Sequence, residues 1–113
     1  MAATQISVFV NYVEGDVMMA SRSYSISNLI NTKFTYKPAY VVPALATDVQ
    51  VNLGDVVMAK VVYVESDSPI EIALDGNAMH CEGIFCITTT ACALFITNNN
   101  ITDANLKIIV LGV

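Results

Sequence analysis

Residues 54–77, GDVVMAKVVYVESDSPIEIALDGN, contain the two apolar runs that decide the fold. The first run, residues 56–64, is apolar on both faces of an extended strand, whereas the second, residues 70–74, alternates between apolar and polar side chains. An alternating strand has one face in water, and a strand with two apolar faces needs a cover on each. The serine-rich residues 66–69 and the Asp-Gly pair at 75–76 are typical of turns. The sequence therefore predicts two strands here, the first with more apolar surface than one core layer covers.

The rest of the chain has the same character, since no window shows the spacing of an amphipathic helix. Further strands are predicted at residues 5–13, 17–24, 33–36, 47–53, 79–88, 91–97 and 106–111, with a hairpin joining the first two. Pro38 and Pro43 favour an edge strand or an extended connection between them. Residues 25–32 are predicted to be irregular, and Asn98, Asn99 and Asn100 a loop that tolerates left-handed backbone. About eight strands at this spacing indicate an all-β sandwich or barrel, with residues 1–113 as a single domain.

The composition predicts association with other chains. Hydrophobic residues make up 55% of the chain and charged residues 13%, against about 25% charged in an average soluble domain. The mean hydropathy is +0.59. A domain of 113 residues leaves roughly a third of its unfolded-chain surface in water, so one small core cannot take in all of these side chains. We therefore expect some of these side chains to contact partner subunits.

The net charge of −5 argues against a nucleic-acid partner. The five basic residues are scattered, whereas a surface that follows phosphates needs them clustered, and an anionic membrane surface is equally disfavoured. The longest uncharged stretch, residues 83–102, includes threonine and asparagine triplets that a bilayer interior would not accept. Residues 1–5 lack the basic start of a secretory signal, so folding in the cytoplasm is expected.

The cysteines and the only histidine do not have the spacing of a metal site. Cys81, Cys86 and Cys92 are an odd number and form no CxxC motif, and His80 and Cys81 point to opposite faces of an extended strand. We predict no metal, no cofactor and no disulfide, and interpret all three cysteines as small apolar residues.

The chain has no recognisable catalytic motif, so we predict no enzyme. A small hydrolase would need His80 as its base, and the acidic residues Asp67, Glu71 and Asp75 are more typical of a solvated face. Exposed tyrosines such as Tyr36 and Tyr40 could instead line a sugar-binding groove, although tyrosine more often anchors the edge of a core.

Residues 47–113 resemble the small virion proteins of tailed bacteriophages. The resemblance lies in the Gly-Asp turn, the hydrophobic strand that follows it, the strand IEIALDG, and the closing pair CALFITNNNITDANLKIIVLG. It implies a single antiparallel β-sandwich of jelly-roll-like form that assembles as a homodimer or homotrimer. It also implies a cement or decoration protein on the outside of a capsid, made in the host cytoplasm, with the major capsid protein or other virion proteins as partners. The alternative is a neck, tail or fibre component that acts as a receptor- or carbohydrate-binding module.

The strands with two apolar faces are the candidates for subunit or capsid contacts. The predicted interface residues are Val56, Met58, Val62, Val64, Ile109 and Leu111. Because the periodicity of these strands is nearly symmetric, it leaves open which face of each one turns toward the core. If Val62 and Ile109 face a partner, aspartate there should abolish assembly and leave the fold intact. If they face the core, the same change should unfold the domain.

Overall fold

The computed structural model describes residues 6–26 and 33–113. The contacts divide the chain into two compact units, Met1–Thr32 and Lys33–Val113. Every strand pair described in them is antiparallel, and these residues contain no helix, so the all-β prediction is confirmed. They accordingly include no helix that could cross a membrane. The prediction of one domain over residues 1–113 stays a prediction. Residues 1–5, on which the prediction about a secretory signal depends, and residues 27–32 of the predicted irregular segment lie outside the described part.

The first unit contains the predicted hairpin. Strand β1 (Ile6–Glu14) pairs with β2 (Val17–Ile26), and the register shifts once, between Tyr12 and Val13. The turn between them uses Gly15 at a φ of 60°, a left-handed conformation that glycine adopts without steric cost.

The second unit is one sheet built around a long central strand. Its strands are β3 (Lys33–Val42), β4 (Val49–Gln50), β5 (Ala59–Leu74), β6 (Asn77–Ala91), β7 (Leu94–Thr97) and β8 (Ala104–Gly112). The order is β3-β8-β5-β7-β4, and β6 pairs with β5 along its length. One side of β5 therefore carries β6, and the other carries β8 at its start and β7 at its end.

Strand β5 corrects the prediction of a turn at residues 66–69. These residues stay within one strand, where the register to β6 shifts between Ser66 and Ile70. Pro69 has no N–H to donate to a ladder, and the Asp67 carboxylate instead accepts bonds from the backbone N–H and the Nδ2 of Asn105, each at 2.8 Å. β8 pairs with β5 as far as Ser66, and β7 pairs with β5 from Glu71 onward. β5 therefore changes its partner at this irregularity. Such irregularities bend a strand, and here the sheet curls.

The core lies inside this curl and explains much of the doubly apolar run. Val62 and Val64 from the first half of β5 share one hydrophobic cluster with Ile72 and Leu74 from the second half. A register shift between Ala59 and Val61 reverses the alternation of side chains. Ala59 before the shift and Val62 and Val64 after it therefore face the same core. The bulge thus accounts for the change of phase within this run.

Other connections depart from the predictions or confirm them. Of the predicted strand at residues 47–53, only Val49–Gln50 pairs. Pro38 lies in β3, which is an edge strand with an irregular register between Lys37 and Tyr40, as the prolines predicted. The Asp75 turn joins β5 to β6, and its carboxylate accepts bonds from the backbone N–H groups of the loop before β7.

The predicted asparagine loop contains a buried side chain. Asn98 is 0% exposed, and its Nδ2 donates to the carbonyl oxygens of Val42 (3.2 Å), Pro43 (3.3 Å) and Thr102 (2.9 Å). Its Oδ1 accepts from the backbone N–H and the Nδ2 of Asn100, at 3.0 and 2.8 Å. Within the described residues, the non-glycine positions with positive φ are Leu45, Asp48 and Asp75, so the asparagines form the predicted loop without left-handed backbone. The loop is specified by hydrogen bonds instead.

Candidate interaction surface

The six residues predicted to form an interface are divided between the core and the surface. Val62 and Val64 are 0% exposed and Val56 is 4% exposed, and all three belong to the core cluster. Leu111 is buried as well, at 6% exposure, but lies outside that cluster. Met58 and Ile109 are half-buried. Four of the six are therefore buried within this unit, and a surface that a partner could contact has to include side chains besides these six.

A face of the sheet opposite the core carries such side chains. In the half built from β3, β8, β5 and β6, the rows that contain Val62 with Val110 and Val64 with Ile108 face the core. Because side chains alternate along strands, the rows between them face the other way. We call this the outer face. It consists of Phe34, Leu111, Val61 and Thr88 in one row, Tyr36, Ile109, Tyr63 and Cys86 in the next, and Lys107, Glu65 and Ile84 in the third.

The outer face is apolar and aromatic, and its margins are open. Phe34 is 67% exposed and Tyr36 55% exposed at the β3 margin, and Ile84 is 67% exposed at the β6 margin. Val61 and Leu111, cross-strand partners between these margins, are buried. Aromatic side chains are enriched among the residues that dominate binding energy at protein interfaces. The face thus has the composition of a contact surface.

Charge on the outer face is confined to its third row. Glu65 and Lys107 are cross-strand partners there. The Tyr63 hydroxyl donates to a Glu65 carboxylate oxygen at 2.7 Å. Burial, together with this hydrogen bond and the carboxylate charge, raises the pKa of Tyr63 to about 12, so the phenol stays neutral at physiological pH. The apolar rows therefore carry no charge of their own.

The cysteines and histidine occupy different surroundings. Cys81 is in the core, as predicted, and burial raises the pKa of its thiol. Cys86 and Cys92 are exposed, so the interpretation of all three as core residues is wrong for these two. His80 is exposed on β6, with its Nε2 3.3 Å from a Glu82 carboxylate oxygen. In the parts of the chain that the structure describes, no three potential ligands cluster as a metal site would require.

Two concavities lie elsewhere on the second unit. A cleft of about 390 Å³ is lined by residues 50–54 with Val56, Cys92 and Ala93, none of which is acidic, basic or a histidine. A groove of about 180 Å³ lies beside Tyr40 and includes Asn105 and Lys107. The Tyr40 ring packs partly against the core and has the Lys37 ammonium 5.9 Å from its centroid. Tyr40 thus anchors a core edge, while Tyr36 points to the outer face.

Sequence reasoning missed the exposed members of the outer face. The sequence places Phe34 and Tyr36 in a strand and offers Tyr36 only for a sugar-binding groove, and it does not single out Ile84. The signal that connects them is the register between strands far apart in sequence, which aligns Phe34 with Leu111 and Tyr36 with Ile109. Nothing in the local pattern contains that alignment.

Comparison with known proteins gives no relative for this chain, since no protein family, no curated protein and no solved structure matches it.

Proposed function

We propose that this chain is a structural virion protein that oligomerises and binds the outside of an assembled bacteriophage capsid as a cement or decoration protein. The observation that carries the proposal is the outer face, an apolar four-stranded surface with exposed aromatic side chains at its margin. An exposed patch of this kind on a small domain is typical of a protein interaction site. The resemblance of residues 47–113 to small virion proteins supplies the class of partner.

The fold and charge are compatible with this role. Strands from both halves of the curled sheet contribute to one core, which supports a sandwich, and we include the jelly-roll-like form and the single domain in the proposal. The net charge of −5 suits a position on the outer surface of the virion, away from packaged DNA. The role is structural rather than catalytic, and the chain is made in the host cytoplasm.

Repetition gives such a protein its effect. A stable contact buries about 800 Å² on each partner. When a modest contact of this size recurs on every subunit of a closed shell, the linked contacts hold the shell together more strongly than any one of them. The outer face would supply that contact, with Phe34 and Tyr36 as anchors.

The test compares particles that contain or lack this chain by electron microscopy, and binding of purified variants to particles that lack it. We expect added density on the outside of the shell, and we expect Phe34→Asp to lose binding. The matched control is Ile101→Asp, which introduces the same charge at an apolar side chain that is 87% exposed in the loop before β8. Equal binding by the two variants, or identical particles with and without the chain, would contradict the proposal.

A receptor- or carbohydrate-binding module of a neck, tail or fibre is the second candidate. The groove beside Tyr40 favours it, because an aromatic ring lies next to the polar side chains of Asn105 and Lys107 there. Sugar recognition at the groove predicts glycan-array binding that is lost in Tyr40→Ala and kept in Tyr36→Ala. Loss in Tyr36→Ala alone would point back to the outer face.

A further inference from the structure

Strand β6 leaves one of its two edges without a partner among the described strands. Asn77–Ala91 pairs with β5 from one end to the other, and no other strand of the second unit joins it. The backbone N–H and C=O groups on its far side are therefore available to another strand. An open edge of this length is a ready template for strand pairing with another chain.

The other two edges of the sheet carry features that discourage pairing, and β6 lacks them in its second half. β3 contains Lys33, Lys37 and Pro38, and β4 has only two residues. Lysine, proline and short length are the means by which natural sheets protect an edge. Residues 84–91 of β6, IFCITTTA, contain no charge, no proline and no glycine. Among the edges described in this sheet, the second half of β6 is the one without these protective features.

We infer that this edge pairs with the same strand of a second copy, antiparallel, about a two-fold axis perpendicular to the sheet. The inference deepens the proposed function, on which it rests for the expectation that the chain oligomerises, and it names the contact. Each copy would supply the strand that the other lacks, and two sheets would become one.

The symmetry restricts the register. Residues directly opposite each other in an antiparallel pair point to the same face, and a two-fold axis perpendicular to the sheet keeps the outer face on one side. Two opposite residues must therefore both be even-numbered or both be odd-numbered. At the axis, one residue then lies directly opposite the same residue of the second copy. Near the middle of the uncharged run, the structure favours Cys86, which lies on the outer face.

The Cys86 register matches side chains on both faces. It sets the half-buried Phe85 opposite the partner copy's equivalent of Ile87, twice by symmetry, and aromatic with β-branched pairs are among the favourable cross-strand combinations. On the outer face it sets Ile84, the exposed apolar residue, opposite the equivalent of Thr88. The nearest charge, Glu82, falls opposite the equivalent of Thr90, so no like charges meet.

Cysteine cross-linking tests the register with the native side chains. Two Cys86 residues opposite each other would have their Cα atoms about 4.5 or 5.5 Å apart, which a disulfide can span. Oxidation of the full chain at alkaline pH should give a covalent dimer of twice 12.2 kDa. Cys92→Ser should keep this product and Cys86→Ser should lose it, since Cys92 is the matched exposed thiol outside the strand. Equal cross-linking through Cys92 would overturn the register.

A charge exchange at the axis tests the pairing without a disulfide. Cys86→Lys places two ammonium groups opposite each other and Cys86→Glu two carboxylates, and each variant alone should dimerise more weakly than Cys86→Ser under reducing conditions, by up to about fivefold. A mixture of the two should form a heterodimer at least as tight as the Cys86→Ser dimer. Circular dichroism confirms that each variant is folded. A mixture that stays as weak as its components would overturn the inference, and so would a monomeric wild-type chain at high concentration.

The outcomes separate this inference from the proposed function. A dimer that responds to charge exchange but binds no particle would remove the virion role and leave the β6 contact standing. A monomer whose particle binding is abolished by Cys86→Lys would assign the edge to a strand of the shell protein, and the second copy would be the wrong occupant.

Discussion

Asn98 is the residue whose replacement should reveal most about how the second unit is held together. We expect Asn98→Ala to lower the free energy of unfolding by about 2–4 kcal/mol. The side chain is fully buried and joins two segments that are distant in sequence, namely the end of β3 with the loop that follows it, and the loop before β8 that carries Asn98 itself.

The magnitude follows from its hydrogen bonds. The amide nitrogen donates to three carbonyl oxygens, and the amide oxygen accepts two bonds from Asn100. A typical bond contributes about 1 kcal/mol net, and a buried carbonyl left without a donor costs about 1–3 kcal/mol. Alanine removes both donor hydrogens and admits no substitute for them at the Val42 carbonyl. In a domain of roughly 60–100 residues, each kcal/mol lowers the melting temperature by about 4–8 °C, so a fall of about 10–25 °C is expected.

Thermal and urea denaturation measure this effect, and the adjacent asparagine provides the control. Asn99 is exposed, and Asn99→Ala should change stability by less than about 0.5 kcal/mol. Asn98→Asp keeps the shape but replaces the donor with an acceptor that faces three carbonyl oxygens. We expect this variant to be less stable than Asn98→Ala at neutral pH. If Asn98→Ala and Asn99→Ala melted together, the argument that this side chain fixes the loop would be refuted.

Three further predictions concern single positions. Gly112→Ala should cost about 1–3 kcal/mol by thermal denaturation, because a Cβ there would collide with a backbone carbonyl oxygen of the neighbouring segment. The hydrogen bonds from Asn105 hold the pKa of Asp67 below its usual value of 3.8, so their contribution to stability should be complete above about pH 4 and lost as the pH falls through the lowered pKa. Melting temperatures of wild type and Asp67→Asn between pH 7 and 2 should converge on acidification. Val62→Asp should lower the free energy of unfolding by several kcal/mol, because Val62 is buried in the core. The half-buried Ile109 should tolerate Ile109→Asp, and circular dichroism should show that this variant is folded.

Local sequence patterns were enough to predict the all-β class and most turns. Alternation and turn residues correctly indicated the β1–β2 hairpin, the turn at Asp75 and the edge position of the proline-containing strand. Each of these depends on residues close in sequence, where backbone preference and hydrophobic period determine the outcome.

The errors lie where contacts distant in sequence determine the structure. Residues 66–69 have the composition of a turn, yet they continue β5, because Asp67 binds Asn105 on β8 and β7 takes up the pairing beyond them. Asn98 lies in the predicted loop, but the sequence does not show that its side chain is buried among carbonyl groups. The sequence of a short polar run does not show whether its carboxylate or amide groups bind water or a strand tens of residues away.

The doubly apolar run at residues 56–64 now has two separate explanations, and they lead to different surfaces. The bulge between Ala59 and Val61 accounts for the change of phase that brings Ala59, Val62 and Val64 to one core. It does not account for Val61, which lies on the outer face with Leu111, between exposed aromatic residues on one margin and the open β6 edge on the other. The outer face and the open β6 edge thus adjoin each other on one half of the sheet. A second copy at the edge would widen the outer face, so the proposed dimerisation and the proposed shell binding would reinforce each other through the same four strands.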